Sequence, residues 1–211
     1  MSIDLHAHFD LTGPWQPDEL IRQLREDCPN LRRALMQWHP YLTEADARGW
    51  ERMDKAIGDA AFCIWVPNWI VSVWPTRAEL YQGTRWSAIW STPRYRHLLR
   101  WACFDLAKIF GSDAAIYLPE MVHVEGETLA DVLLYLQKTA GAPAATIEAM
   151  READEADDYL DAMFTGTGSY FIDQFDDLPQ PPQAMPDGPK PPPDFTKSDW
   201  PHTSWPPEIG S

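Results

Sequence analysis

Two histidines one residue apart are the first side chains in this sequence with chemistry to offer. In Ile3-Asp-Leu-His-Ala-His-Phe-Asp10, His6 and His8 alternate with apolar residues. On an extended strand, residues at i and i+2 point to the same side. Two imidazoles presented in this way are the beginning of a divalent-metal site, and an ion held there would activate water. The plainer alternative is a strand whose polar face carries two histidines. A second group is acidic. Glu148, Glu152 and Glu155 recur at i, i+4 and i+7, with Asp154, Asp157, Asp158 and Asp161 at three- and four-residue spacings beside them. A helix through them carries carboxylates over two faces, and each like-charged i, i+4 pair costs roughly 0.2–0.5 kcal/mol. A cation relieves that repulsion, and the Lys and Arg side chains of a partner protein suit it better than a metal. An EF-hand loop is excluded, because a register from Asp154 puts Tyr159 where glycine belongs and Thr165 where the last glutamate belongs.

Other chemistry is missing. The sequence has no G-x-S-x-G and no G-x-x-x-x-G-K-[ST], and Gly166-Thr-Gly-Ser lacks the preceding strand and third glycine of a dinucleotide site. Cys28, Cys63 and Cys103 are too far apart for a C-x-x-C pair and are odd in number, so they are expected as reduced core thiols. No catalytic residue and no cofactor is therefore expected. The eleven tryptophans are harder to place. Trp65, Trp69, Trp74, Trp86, Trp90 and Trp101 are interleaved with Arg77, Arg85, Arg94, Arg96 and Arg100. Core packing is the commoner fate of tryptophan, but Trp and Arg also anchor protein interfaces, and Trp86 with Trp90 would share one helical face.

The elements that must position these groups follow from periodicity. Residues 3–11 alternate as a half-buried strand. Helices are expected from Pro17 and from Pro29, the latter stopped by Pro40, and another from Thr43 to Gly58 carrying Trp50, Met53 and Ile57. Phe62 to Trp74 is β-branched and aromatic but interrupted at Pro67-Asn68, which predicts two short strands. Two helical stretches follow, the stronger from Pro93 to Phe110 with Gly111 as its stop. A buried strand over 114–118, a helix over 128–139, the acidic helix over 144–163 and a last strand near 170–172 complete the body. Eleven of the twenty prolines fall in residues 179–211, which predicts an extended tail lying along the body. The fold class is thus α+β: one domain over 1–178, a small mixed or antiparallel sheet with about five to seven helices, then the Pro-rich tail.

Charge narrows the function classes. The net charge is −15, and it comes from the second half: residues 1–108 hold 13 basic and 13 acidic residues, residues 109–211 hold 4 and 19. Ten carboxylates and one base lie between Glu148 and Leu178. Such a field repels nucleic acid and anionic lipid and steers a basic partner inward. With no apolar run long enough for a membrane helix and no signal-peptide pattern, the expected place is the cytoplasm. The whole resembles the immunity proteins of bacterial toxin systems, many of them short and acidic. That resemblance implies a basic cognate toxin as partner, occluded by Glu148, Glu152, Asp154, Glu155, Asp157, Asp158 and Asp161 together with Trp86 and Trp90. The eight residues around His6 and His8 also resemble the first-strand signature of amidohydrolases and histidinol-phosphatase-like hydrolases, which implies both histidines as metal ligands. Those families build barrels of about 250 residues with further histidine ligands. Here His39, His97, His123 and His202 sit in unsuitable contexts, so a metal-dependent hydrolase stands as one alternative, and a non-catalytic adaptor or structural protein whose Pro-rich tail docks a partner as the other.

Overall fold

The computed structural model describes residues 4–13, 15–38, 50–66, 69–85, 93–120, 122, 124–146, 149, 170–176 and 178. They form a mixed α+β fold on one antiparallel sheet. Its strands are β1 (Asp4–Asp10), β2 (Glu51–Arg52), β3 (Phe62–Val66), β4 (Trp69–Val73), β5 (Arg77–Arg85), β6 (Ala115–Pro119) and β7 (Phe171–Asp173), in the order β2-β3-β4-β5-β1-β6-β7. The helices are α1 (Pro17–Glu26), α2 (Pro29–Trp38), α3 (Pro93–Phe110) and α4 (Leu129–Thr139). The first strand of the sequence lies inside the sheet, hydrogen-bonded to β5 on one side and β6 on the other. Every pairing is antiparallel, so the parallel barrel of the amidohydrolase resemblance is not this fold.

Strand alternation divides the sheet into two faces. Leu5, Ala7 and Phe9 of β1 are fully buried in the main core, which they share with Leu20 and Leu24 of α1, Leu31 and Leu35 of α2, and Leu98, Leu106 and Phe110 of α3. The Phe9 and Phe110 rings lie 5.5 Å apart, so α3 packs on this face. His6, His8 and Asp10 belong to the opposite face. Gly111 ends α3 at φ 72°, and a Cβ there would strike the Thr12 hydroxyl, which makes glycine the residue this stop requires. All three cysteines are buried and unpaired, as expected.

The α2–α3 contact has a polar pin. Asp105 of α3 accepts from the Asn30 N–H at 2.6 Å, the Leu31 N–H at 3.2 Å and the Asn30 side-chain amide at 2.9 Å. It caps the first turn of α2 from another helix, satisfying donors that a helix N-terminus leaves open. Asp105→Ala is expected to cost about 2 kcal/mol by stranding those buried N–H groups. A urea midpoint within error of wild type would show that water replaces the carboxylate.

Three expectations need correction. The helix anticipated up to Gly58 is absent from its described part: Glu51–Arg52 is an edge strand paired to β3, and residues 53–60 turn back toward the sheet. Tertiary pairing outweighed the helical spacing of Trp50, Met53 and Ile57. The stretch after Trp74 begins not as a helix but as the nine-residue strand β5. The Trp74 N–H donates to the Arg77 carbonyl across Pro75-Thr76 at 2.8 Å, so a tight hairpin turns β4 into β5. The sheet is accordingly larger than anticipated, with seven strands, and the described residues contain four helices rather than five to seven. The tail over 179–211 lies outside the described residues. Among the described residues no helix is long and apolar enough to cross a membrane.

Candidate metal centre

β1 and β5 run antiparallel so that His8 faces Glu79, His6 faces Tyr81 and Asp10 faces Arg77. These six side chains share the sheet face opposite the three-helix core. The flanking strands make its walls. Ser72 of β4 stands beside Glu79, and Cys63 of β3 beside Ser72, with the thiol donating to the Ser72 hydroxyl at 3.4 Å. On the other side Ile116 of β6 stands beside His8 and Leu118 beside His6.

Glu79 lies between the two histidines. The His6 Nδ1–H donates to Glu79 Oε1 at 2.6 Å, and His8 Nδ1 is 3.7 Å from Glu79 Oε2. The imidazole planes are nearly parallel, inclined by 21° with centroids 6.3 Å apart. His6, His8 and Glu79 each offer a ligand atom, and these atoms all lie within 4.8 Å of one another. His8 is 2% exposed, and among the described residues neither of its ring nitrogens has a hydrogen-bond partner; His6 Nε2 is likewise buried without one. Buried polar atoms in this condition cost roughly 1–3 kcal/mol each and call for an explanation.

Electrostatics set the protonation states. Burial is the main cause that brings the His8 pKa down to about 4, with Glu79 opposing it and His6 and Arg77 adding to it. Burial pushes Glu79 up, but His8, His6 and Arg77 outweigh it and hold the carboxyl down at about 2. At neutral pH the site therefore offers a neutral imidazole and an ionised carboxylate, the forms that bind metal. Behind it the Tyr81 hydroxyl donates to Asp4 Oδ2 at 2.6 Å, and its ring meets the His6 ring edge-on at 5.1 Å. Burial and Asp4 keep Tyr81 a phenol.

His8 also gives the metal-free fold a pH dependence. The unfolded chain takes up a proton near pH 6.5 that the folded site accepts only near 4. Stability from this group is intact above 6.5 and is lost as pH falls from 6.5 to 4, by roughly 3 kcal/mol in all. Glu79 titrates lower, so its contribution is lost only below its unfolded value of 4.5. Chelator-treated protein followed by urea denaturation from pH 7 to 4 is expected to show this slope, and His8→Phe is expected to flatten it. An equal slope in both proteins would remove His8 as its origin.

His6 and His8 are thus brought together as the strand spacing requires, and sequence reasoning missed their third member. Glu79 was hidden in a stretch taken as helical, yet Arg77-Ala-Glu-Leu-Tyr alternates polar and apolar with period two, the signal that identifies a half-buried strand. Glu148, Glu152, Asp154, Glu155, Asp157, Asp158, Asp161, Trp86 and Trp90 lie outside the described residues. Of the other tryptophans, Trp69 and Trp101 belong to the core while Trp65 is 39% exposed. Arg100, grouped with the interface arginines, is buried against Asp173 instead. No family model, curated protein or solved structure matches this chain.

Proposed function

We propose that this protein is a divalent-metal protein whose centre is His6, His8 and Glu79, and that its reaction is metal-assisted hydrolysis. The observation that carries the reading is His8, an imidazole 2% exposed whose two nitrogens lack hydrogen bonds beside an ionised carboxylate and a second imidazole. Two histidines and one glutamate are a donor set for zinc or another first-row divalent ion, and three protein ligands leave a further coordination position open. A tetrahedral site with bonds of about 2.0–2.2 Å sets its ligand atoms roughly 3.3–3.6 Å apart. The present separations span that range, from the 2.6 Å contact to the 4.8 Å limit of the group. Shifts of about 1 Å, within reach of side-chain rotation, close the set. A metal ion bound there supplies a water of lowered pKa.

The chain's own residues have separate tasks in this reading. β1 fixes the two imidazoles on neighbouring positions of one sheet face, and β5 delivers the carboxylate across the ladder. Ile116 and Leu118 keep one flank apolar, and Tyr81 braces the His6 ring. The test is metal content and affinity. Chelator-treated protein is expected to take up one zinc or manganese equivalent, and the loaded form to hydrolyse an activated ester that the metal-free form leaves intact. Failure to bind either ion at micromolar concentration would falsify the metal reading; binding without hydrolysis would remove the reaction and leave the centre.

The charge asymmetry supports a second role, as an acidic inhibitor of a basic enzyme in the manner of toxin-system immunity proteins. What favours it is the 19 acidic against 4 basic residues in 109–211, with Glu148, Glu152, Glu155, Asp158 and Asp161 as the steering carboxylates. A basic protein captured from the source lysate at low salt and lost at high salt is the expected result. Capture unchanged on reversing three of these carboxylates to lysine would refute the assignment.

A further inference from the structure

Arg77 begins β5 two residues before Glu79 and on the same face, about 7 Å along the strand. It is 8% exposed, its guanidinium carbon lies over the Trp74 indole at 4.3 Å from the ring centroid, and among the described residues its Nε has no hydrogen-bond partner. A buried guanidinium ordinarily takes a carboxylate. Three carboxylates stand near this one, and each is engaged elsewhere. Glu79 is held by His6 and His8. Asp59 accepts from the Trp74 Nε1–H at 2.9 Å. Asp10, directly across the ladder from Arg77, accepts from the Leu129 N–H at 2.8 Å. Glu79 and Asp59 attract the arginine's charge, yet among the described residues it forms no ion pair.

We propose that Arg77, held over the Trp74 ring beside His6, His8 and Glu79, is an oxyanion subsite that takes the phosphate or carboxylate group of the ligand handled at the metal centre. This rests on the metal reading above. With its carbon held against the indole, the guanidinium keeps an unpartnered Nε on a rigid fork of N–H donors whose spacing matches two oxygens of a phosphate or a carboxylate. Trp74 is itself anchored through Asp59, so the fork is oriented before the ligand arrives. With a divalent ion held by the two histidines and Glu79 the centre would carry +1 and Arg77 another, which Asp10 and Asp59 offset, so the arginine's unpartnered donor rather than net charge is what calls for an anion. A ligand with an oxyanion next to its reacting group would span the two positions, one end at the metal and the other at Arg77.

The test uses the full chain loaded with cobalt(II), whose visible spectrum reports ligands reaching the ion, titrated in separate arms with inorganic phosphate and with acetate. Cobalt-loaded wild type is expected to bind at least one of them. Arg77→Gln is expected to weaken that binding by about 10- to 100-fold, as loss of charge-assisted hydrogen bonds does, with cobalt affinity unchanged. Arg77→Lys, which keeps the charge and loses the fork, is expected to fall between. Preference for phosphate over acetate, or the reverse, names the group. Equal anion binding in wild type and Arg77→Gln overturns the subsite, and so does cobalt-loaded wild type that binds neither anion. If cobalt does not bind at all, the metal reading fails separately; phosphate binding that still depends on Arg77, followed by calorimetry, would then sustain the subsite, and its absence would overturn it.

Discussion

His8→Phe is expected to abolish zinc binding while leaving the metal-free protein at least as stable as wild type. The two halves of that expectation have one cause. In the metal-free fold both His8 ring nitrogens are buried without hydrogen bonds, so the imidazole is a net liability there, and an apolar ring of similar size removes it. With zinc at about 100 times its dissociation constant, wild type should gain roughly 2.7 kcal/mol. For a domain of this size that is a rise of roughly 5–11 °C in Tm. The variant should gain nothing. Glu79→Gln separates the charge from the shape: it should also lose zinc, by more than the roughly 10- to 100-fold that removing an outer-shell partner costs. Unlike His8→Phe it should destabilise the metal-free protein, because His6 loses the carboxylate it holds at 2.6 Å. Thermal melts of the three proteins with chelator and with zinc read both effects. A zinc-induced shift of the same size in wild type and His8→Phe would place the ion elsewhere. A large loss of stability in metal-free His8→Phe would make the histidine a structural residue.

The half of this site on β1 was legible because strand alternation is local: His6 and His8 share a face whatever surrounds them. Glu79 lies on a strand whose period-two alternation is equally local, though the tryptophans that follow it suggest a helical face; what no local pattern gives is its place opposite His8, set by pairing with β1 across more than seventy residues. The same division runs through the fold. Pro17, Pro29 and Pro93 mark helix starts and Gly111 a stop through backbone rules that need no tertiary information, and α1, α2 and α3 begin where those residues stand. The segment 50–60 was misjudged because its form is set by the edge of β3 it docks against. Buried charge was the least legible. In the sequence Asp173 is one of the ten carboxylates between Glu148 and Leu178 and Arg100 one of the arginines interleaved with tryptophan, and only the packing of β7 against α3 shows that each neutralises the other. Single-residue composition cannot distinguish a carboxylate in water from one inside.

That pair carries the second large effect. Arg100 and Asp173 are 5% and 3% exposed, joined by two hydrogen bonds of 2.6 and 2.8 Å. The Tyr117 hydroxyl donates to Asp173 Oδ2 at 3.2 Å and the Phe175 N–H to Oδ1 at 2.9 Å. Asp173 is the last residue of β7, an edge strand with only three residues in the ladder, and its carboxylate ties that edge to α3 beside the Phe104–Phe175 ring contact at 5.8 Å. Asp173→Ala leaves a buried guanidinium without this partner and strands the Phe175 N–H, and it is expected to cost about 3–5 kcal/mol. The double change Asp173→Leu with Arg100→Met removes both charges and is expected to recover most of the loss, since an apolar pair of similar volume often matches or exceeds a buried ion pair. Urea denaturation of the single and double variants gives the coupling directly. A loss under about 1 kcal/mol in Asp173→Ala would mean that water reaches Arg100 once the carboxylate is gone. The pair lies on the helix face of the sheet and His8 on the other, so zinc binding should survive in the double variant; its disappearance would show that β7 helps hold β6 and β1 in the register the metal centre needs.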